Sequence, residues 1–346
     1  MQFKLLLYRF FSTKLGKSIL NFLSNGVTVN LNSVKKKRKF PFLVVVTVDT
    51  ESGYVENNER RVWQIENPNA FQGYYYGLGN ILEIFDKYKI KATFFLSTQC
   101  FSGKNKEFKI KKMLSNVIKK GHEIGLHLHP DSDFAIQTKL SKKFETTSAF
   151  FYKYNDIMEI IQASKDIIED HLGKIAAKKL ISFRWGNWAL NSDGAKALND
   201  TGFKVDSSAT PGIKGHHNNG MKYDWSKVQT HYPWKLNIEN YQDTSKKNSN
   251  VTEIPIATFN FFGLTLRADP VNSALLNRAF LKYYKKTSRA RKPFPFVVVT
   301  HSSEATYYDG KPTQALKDLE EFIKLAKKYK DVKFVTMKEA YEMSKN

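Results

Sequence analysis

The chain reads as an α/β protein, a parallel barrel or open α/β sheet of about seven β/α units, preceded by a basic helical extension. Three observations predict this. Short apolar, β-branched runs alternate with segments of helical period; polar, chemistry-bearing residues stand at the C-terminal ends of those runs; and 346 residues suffice for one barrel-sized domain. Hydrophobic content of 41% and aromatic content of 14% place the chain among folded globular proteins.

Residues 1–40 form their own region. Phe3, Leu7, Phe11, Leu15, Ile19 and Leu23 recur every four residues, with Arg9, Thr13, Lys17 and Asn21 on the opposite side. Lys35-Lys36-Lys37-Arg38-Lys39 closes the segment. Such a helix either lies on an anionic membrane surface or packs on the barrel beside a solvated linker. The barrel spans 41–346. Residues 42–48 read as a buried parallel strand, 77–88 as a helix and 92–96 as the second strand. A helix over 106–120 leads to a strand at 123–128, and a long helix over 151–172 precedes a strand at 180–183. Residues 192–200 read as helix and 203–205 as a short strand. The stretch 213–262, rich in aromatics and Asn, reads as an irregular insertion. A helix at 271–286, a strand at 296–300, a helix at 312–329 and a strand at 332–335 complete the series.

Charge and cysteine content limit the partners. The formal net charge is +22, but residues 1–48 hold nine Lys or Arg and no acid, so part of the imbalance is local. No helix-turn-helix, zinc-finger or RNA-binding motif accompanies it, and the basic body reads as a solvated surface with no nucleic acid partner. The single Cys100 excludes an internal disulfide and fits a reducing compartment. No apolar run is long enough to span a bilayer, and the start is a poor secretory signal because its short apolar stretch is broken by Arg9. The expected location is cytoplasmic, with residues 1–40 available to the inner membrane face.

Five clusters fall at predicted strand ends: Asp49-Thr50-Glu51, His127-Leu128-His129, Arg184-Trp185-Gly186-Asn187-Trp188, Asp206-Ser207-Ser208 and His301-Ser302-Ser303-Glu304. Side chains two apart on a strand share a face, so His127 and His129 can reach one metal ion, and Asp49 and Glu51 also point together. One carboxylate and two imidazoles leave a divalent ion open positions for water and substrate. A second carboxylate can take a proton from water, and a separate histidine can protonate a leaving group. Trp185 and Trp188 either stack on a sugar ring or pack; Asn187 and Asp206 either line the site or, for Asp206, cap the next turn. Glu304 either orients His301 or sits at the surface. His122 reads as structural, and His216-His217 as part of a solvated loop.

The order and wording of these clusters resemble the polysaccharide deacetylases of carbohydrate esterase family 4, the NodB-homology domain. Thr47-Val48-Asp49-Thr50-Glu51 stands where that family has Thr-Phe-Asp-Asp, and Lys91-Ala92-Thr93-Phe94-Phe95 matches the strand after the first helix. Gly121-His122-Glu123-Ile124-Gly125-Leu126-His127 matches the second motif, Phe183-Arg184-Trp185-Gly186-Asn187 resembles the third, and Thr300-His301 the last. The resemblance runs over roughly 42–336. It implies a distorted (β/α)7-type barrel and N-deacetylation of an acetylated amino sugar in a surface-polysaccharide or glycoconjugate pathway, with a divalent metal, Zn first and Co, Ni or Mn as alternatives. Carried over by position, Asp49 is the general base, Arg184 its partner, His127 a metal ligand and His301 the general acid. Two positions depart from the family. Thr50 replaces a liganding Asp, which passes that role to Glu51. The second histidine normally follows the first by four residues, where this chain has Asp131; His129, nearer and an imidazole, is the favoured ligand and Asp131 the alternative. Rival readings are a glycoside hydrolase on a similar barrel and a degenerate saccharide-binding barrel at the membrane surface, the latter suggested by Thr50.

Overall fold

The computed structural model describes residues 38–53, 55–57, 60–62, 68–101, 107–216, 222–261 and 263–345. The expected N-terminal helix, most of the polybasic cluster and His217 lie outside the described residues.

The first strand, β1 (Phe42–Thr50), is buried along its whole length. Its alternation divides the interior in two. Phe42, Val44, Val46 and Val48 face a large core under the helices, whereas Leu43 and Val45 join Phe95, Val205, Ile254, Ile256, Val297 and Val299 in a second, smaller core. That second set comes from the inward positions of many strands, as a barrel lumen requires. Parallel partners follow as β2 (Thr93–Ser97), β3 (Glu123–Leu128), β4 (Ser182–Trp185), β5 (Val205–Asp206), β6 (Thr252–Glu253) and β7 (Phe294–His301). Their order is β6-β5-β4-β3-β2-β1-β7 within a nine-stranded sheet; Trp234–Lys235 adds antiparallel to β6, and Val332–Phe334 pairs with β1. The curled sheet meets itself at one parallel bridge, Ile256 to Val297, with the Ala257 amide donating to the Val297 carbonyl at 3.0 Å.

Helices cover the outside: α1 (Leu78–Tyr88), α2 (Glu107–Lys119), α3 (Phe134–Leu140), α4 (Tyr154–Leu172), α5 (Lys174–Lys178), α6 (Ser192–Asp200), α7 (Ser273–Lys286) and α8 (Gln314–Lys327). On α4, Ile157, Ile160, Ile161, Ile167 and Ile168 are buried at helical spacing, so one stripe docks on the sheet. The last helix, α9 (Met337–Ser344), closes the barrel floor: Met337, Ala340 and Tyr341 pack into the smaller core.

The expected distorted barrel is therefore present, with corrections to its parts. The strands expected at 180–183 and 203–205 sit at Ser182–Trp185 and Val205–Asp206. Polar residues are buried inside these strands, so a search for apolar runs stops short of them. The stretch 213–262 is not an insertion outside the barrel, because β6 lies within it and Ile256 supplies the closing bridge. A two-residue strand carries no periodic signal. Antiparallel hairpins at Lys214–His216 with Lys222–Asp224, and at Thr258–Phe261 with Leu264–Arg267, were also not anticipated.

Candidate active site

Alternation along β1 carries one row of side chains from floor to mouth: Leu43 and Val45 in the lumen, then Thr47, Asp49 and Glu51 above them. On β3 the same parity gives Gly125, His127 and, just past the strand, His129. Register sets Asp49 beside His301 of β7, and His127 beside Ser97 of β2 and Arg184 of β4. Polar groups from five strands thus converge above a hydrophobic lumen.

Glu51, His127 and His129 are buried and form a tight trio. Glu51 Oε2 lies 3.0 Å from His127 Nε2 and 2.5 Å from His129 Nε2, and the two Nε2 atoms are 3.1 Å apart. The far side of each ring determines what the near side offers. His127 Nδ1 is 2.9 Å from the Arg184 carbonyl, an acceptor, so Nδ1 carries the proton and Nε2 the lone pair. His129 Nδ1 is 3.1 Å from Thr147 Oγ1, whose own proton goes to Asp131 Oδ1, and the same logic holds. Where no cation is bound, a proton on His129 Nε2 shared with Glu51 holds these atoms together, and its loss frees a carboxylate oxygen and two ring nitrogens for one ion, so the donor set fits a divalent cation. Among the described residues, this is the group of His, Cys, Asp or Glu whose geometry could hold one. Asp131 stands behind Thr147 rather than in the trio. Burial opposes the charge on Glu51, but His129 and His127 outweigh it and hold the carboxyl well below its usual value. Burial likewise pulls His129 down, and Glu51 more than reverses it, so its pKa is raised.

Arg184 is fully buried and spreads its donors over the layer beneath. Nη1 meets Asp49 Oδ1 at 2.5 Å and Thr47 Oγ1 at 2.9 Å, Nε the Ser207 carbonyl at 2.9 Å, and Nη2 the Ser207 hydroxyl at 3.1 Å. The guanidinium lies over the Phe95 ring at 4.3 Å, which screens it from the lumen. Asp206 and Glu253 are both fully buried nearby. Burial pushes both carboxyls up, Glu253 well above its usual value with Asp206 adding to the rise, so the pair shares a proton.

His301 closes the other side. Its Nε2 lies 3.9 Å from Asp49 Oδ2 and 3.8 Å from Glu51 Oε1, while Nδ1 meets Glu304 Oε1 at 3.1 Å and the Glu304 carboxylate also accepts from the His301 amide at 3.0 Å. Burial lowers the imidazole pKa, but Glu304 first, then Glu51 and Asp49, raise it to about 10. The ring is 22% exposed, enough for a ligand to reach Nε2. The turn that carries Glu304, Ser302–Ala305, is packed from outside: a π-helical turn, Gly73–Gly77, lies so close that a Cβ at Gly77 would sit 2.0 Å from the Ser302 carbonyl.

The loop after β4 shows where expectation and structure part. Trp185 is fully buried and donates from Nε1 to the Thr147 carbonyl at 2.7 Å, and Asp206 is fully buried beside Glu253, so neither presents a surface to a substrate. Asn187 and Trp188 are half-buried and both hold left-handed backbone, φ 50° and 58°, which is strained for residues other than glycine. Gly186 is required by space: a Cβ there would meet the Leu128 carbonyl at 2.2 Å and His129 Nε2 at 2.8 Å. Trp188 is covered on one face by the Arg267 guanidinium, 3.6 Å from the ring centre. Thr50, at the position where a second acid was expected, turns from the trio by strand parity and bonds the Val48 carbonyl at 3.3 Å. His122 packs between Phe85 and Phe94 and accepts from the Ala92 amide at 3.2 Å. Thr147, Glu253 and Arg267 were not anticipated; each reaches the site from a loop or strand with no periodic mark.

Residues 73–205 match the family model described as polysaccharide deacetylase. The match includes His127, His129 and Arg184; Asp49, Glu51 and His301 join them through the fold. No curated protein matches the sequence significantly. Among solved structures, a protein assigned as a polysaccharide deacetylase from Mycobacterium smegmatis is similar at TM-score 0.56 and 16% identity, over 89% of this chain and 94% of that one. One with the same assignment from Pseudomonas aeruginosa PAO1 gives 0.55 and 13%, over 87% and 90%. A PuuE allantoinase gives 0.55 and 14%, over 87% and 89%. At these identities the likeness is one of fold.

Proposed function

We propose that the chain, whose residues 73–205 match the polysaccharide deacetylase model, is a divergent member of that family and a metal-dependent hydrolase removing the acetyl group from an N-acetylated amino sugar. The observation that carries the reading is the convergence of the Glu51–His127–His129 trio, the Arg184-held Asp49 and the Glu304-held His301 at one mouth of the barrel.

Glu51, His127 and His129 would hold a divalent ion, zinc first, which when bound supplies Lewis acidity for the acetyl carbonyl and for water. The remaining chemistry belongs to the chain. Arg184 fixes Asp49 through Oδ1 and leaves Oδ2 facing the mouth, where it accepts a proton from the attacking water. His301, protonated at neutral pH because Glu304 outweighs the effect of burial, gives its Nε2 proton to the departing amine. His301 Nε2 stands 3.9 Å from Asp49 Oδ2 and 3.8 Å from Glu51 Oε1, which places acid and base close enough to act on one substrate. Trp188 and Asn187 form the half-buried rim on the β4 side. The proposal includes a surface-polysaccharide or glycoconjugate pathway, a cytoplasmic location and residues 1–40 resting on an anionic membrane face, motivated by their cluster of Lys and Arg.

Acetate release from N-acetylated saccharides tests the reading. Activity should vanish on chelation, return with Zn²⁺ or Co²⁺, and fall by about 10²–10⁴-fold in Asp49→Asn and His301→Gln. Wild-type turnover by Asp49→Asn and His127→Ala would overturn it. A new reducing end in place of acetate would identify a glycosidase, and sugar binding without metal uptake a binding module.

A further inference from the structure

Arg267 lies at the same mouth and has no work in the mechanism above. It ends the hairpin strand Leu264–Arg267 and lies over the Trp188 ring, two residues beyond the glycine that abuts His129. Its charge also acts on Glu304, the partner of His301, so it lies between the β4 and β7 sides of the site. The side chain is 24% exposed, yet among the described residues it donates no hydrogen bond: Nε is buried without a partner, and Asp269 Oδ2 stands 3.7 Å from Nη2, too far for one.

A guanidinium carries five donors in a planar fork, and leaving them unmet in a partly buried place is costly. The guanidinium over the ring also removes one face of Trp188 as a platform for a sugar ring, so this rim presents a cation instead of an aromatic surface. A flat fork backed by an indole suits a planar or tetrahedral oxyanion, which it can bind through two parallel N–H bonds. The chain's net charge of +22 agrees in sign with an acidic ligand.

We propose that Arg267 receives an anionic group of the substrate, a phosphate or a carboxylate, so that the substrate class is an acidic N-acetylated saccharide. The proposal rests on the deacetylase reading for the acetamide but not for the anion. Asp269 lies near the guanidinium without satisfying its donors, and the charge of Arg267 also acts on Glu304.

Calorimetric titration of the full chain separates the possibilities. The probes are N-acetylglucosamine 1-phosphate, N-acetylglucosaminuronic acid and neutral N-acetylglucosamine, each against the wild type, Arg267→Met and Arg267→Lys. At least one acidic probe should bind the wild type about tenfold or more tighter than the neutral one. That preference should weaken with salt, collapse in Arg267→Met and survive in part in Arg267→Lys, which guards against misfolding of the first variant. The tighter acidic probe tells phosphate from carboxylate. Equal affinity for acidic and neutral probes, failure of every acidic probe to bind, or a preference untouched by Arg267→Met overturns the assignment. Acetate measured in parallel keeps the two readings apart. Acetate without an acidic preference removes Arg267 and leaves the deacetylase; an acidic preference without acetate from any probe does the reverse.

Discussion

His129 shows how a single ring is prepared for a metal. A metal takes an imidazole only through a nitrogen without a proton, so the group on the other nitrogen decides whether the near one is free. Here that group is Thr147 Oγ1, itself turned by Asp131, and the Thr147 backbone is pinned by Trp185 Nε1. Thr147→Val keeps the shape but removes the acceptor that Nδ1–H uses. It should weaken zinc binding about 10–100-fold in competition with a chromophoric chelator, while Thr147→Ser stays near wild type. Wild-type affinity in Thr147→Val would reduce Thr147 to packing. The parity of strand residues was enough to bring His127 and His129 together, and family spacing pointed to Asp131 instead. Both carried information, since Asp131 acts on His129 through a hydroxyl. Thr147 itself was illegible because it is 18 residues away on a loop without periodicity.

Elements were readable where the lumen and the helices both demand apolar side chains. β1 and β3 announce themselves as runs that end in Asp-Thr-Glu and His-Leu-His, and α4 by its isoleucine stripe. β4 to β6 were displaced or missed because they bury Ser182, Arg184, Asp206 and Glu253, whose burial is compensated by partners distant in sequence. The barrel floor repeats this on β3. Glu123 accepts from Thr93 Oγ1 at 2.8 Å, Ser182 Oγ at 2.5 Å and the Lys338 amide at 2.8 Å, tying β2, β3 and β4 to the first turn of α9. Burial raises its pKa, so the site tolerates the charge only through those donors. Glu123→Leu orphans all three and should cost about 2–4 kcal/mol in urea unfolding. Zinc affinity should hold, because His127 lies four residues up the strand, about 13 Å away. An unchanged unfolding midpoint would mean that α9 docks by its apolar face alone.

Across the whole molecule, the proposed ion would join strands that do not touch. Glu51 follows β1 and the histidines belong to β3, with β2 between them, so a cation bound by all three clamps three neighbouring strands at the mouth. Metal binding that requires the folded barrel must stabilise it by mass action, about 2.7 kcal/mol at a hundredfold excess over Kd. For a chain of this size that corresponds to a rise of roughly 3–6 °C in Tm. The metal-free protein is not a passive reference, since Glu51 already pairs with His129 at 2.5 Å and some of the gain replaces that contact. The shift should therefore fall at the lower end of the range. The chain has eight histidines, so zinc could also bind elsewhere, and the variants decide. His127→Ala and Glu51→Gln should lose the shift, whereas His231→Gln, whose ring bonds Thr258 away from the trio, should keep it. Equal melting of wild type in zinc and in chelator would exclude the clamp, and a shift that survives in His127→Ala would move the ion to another site.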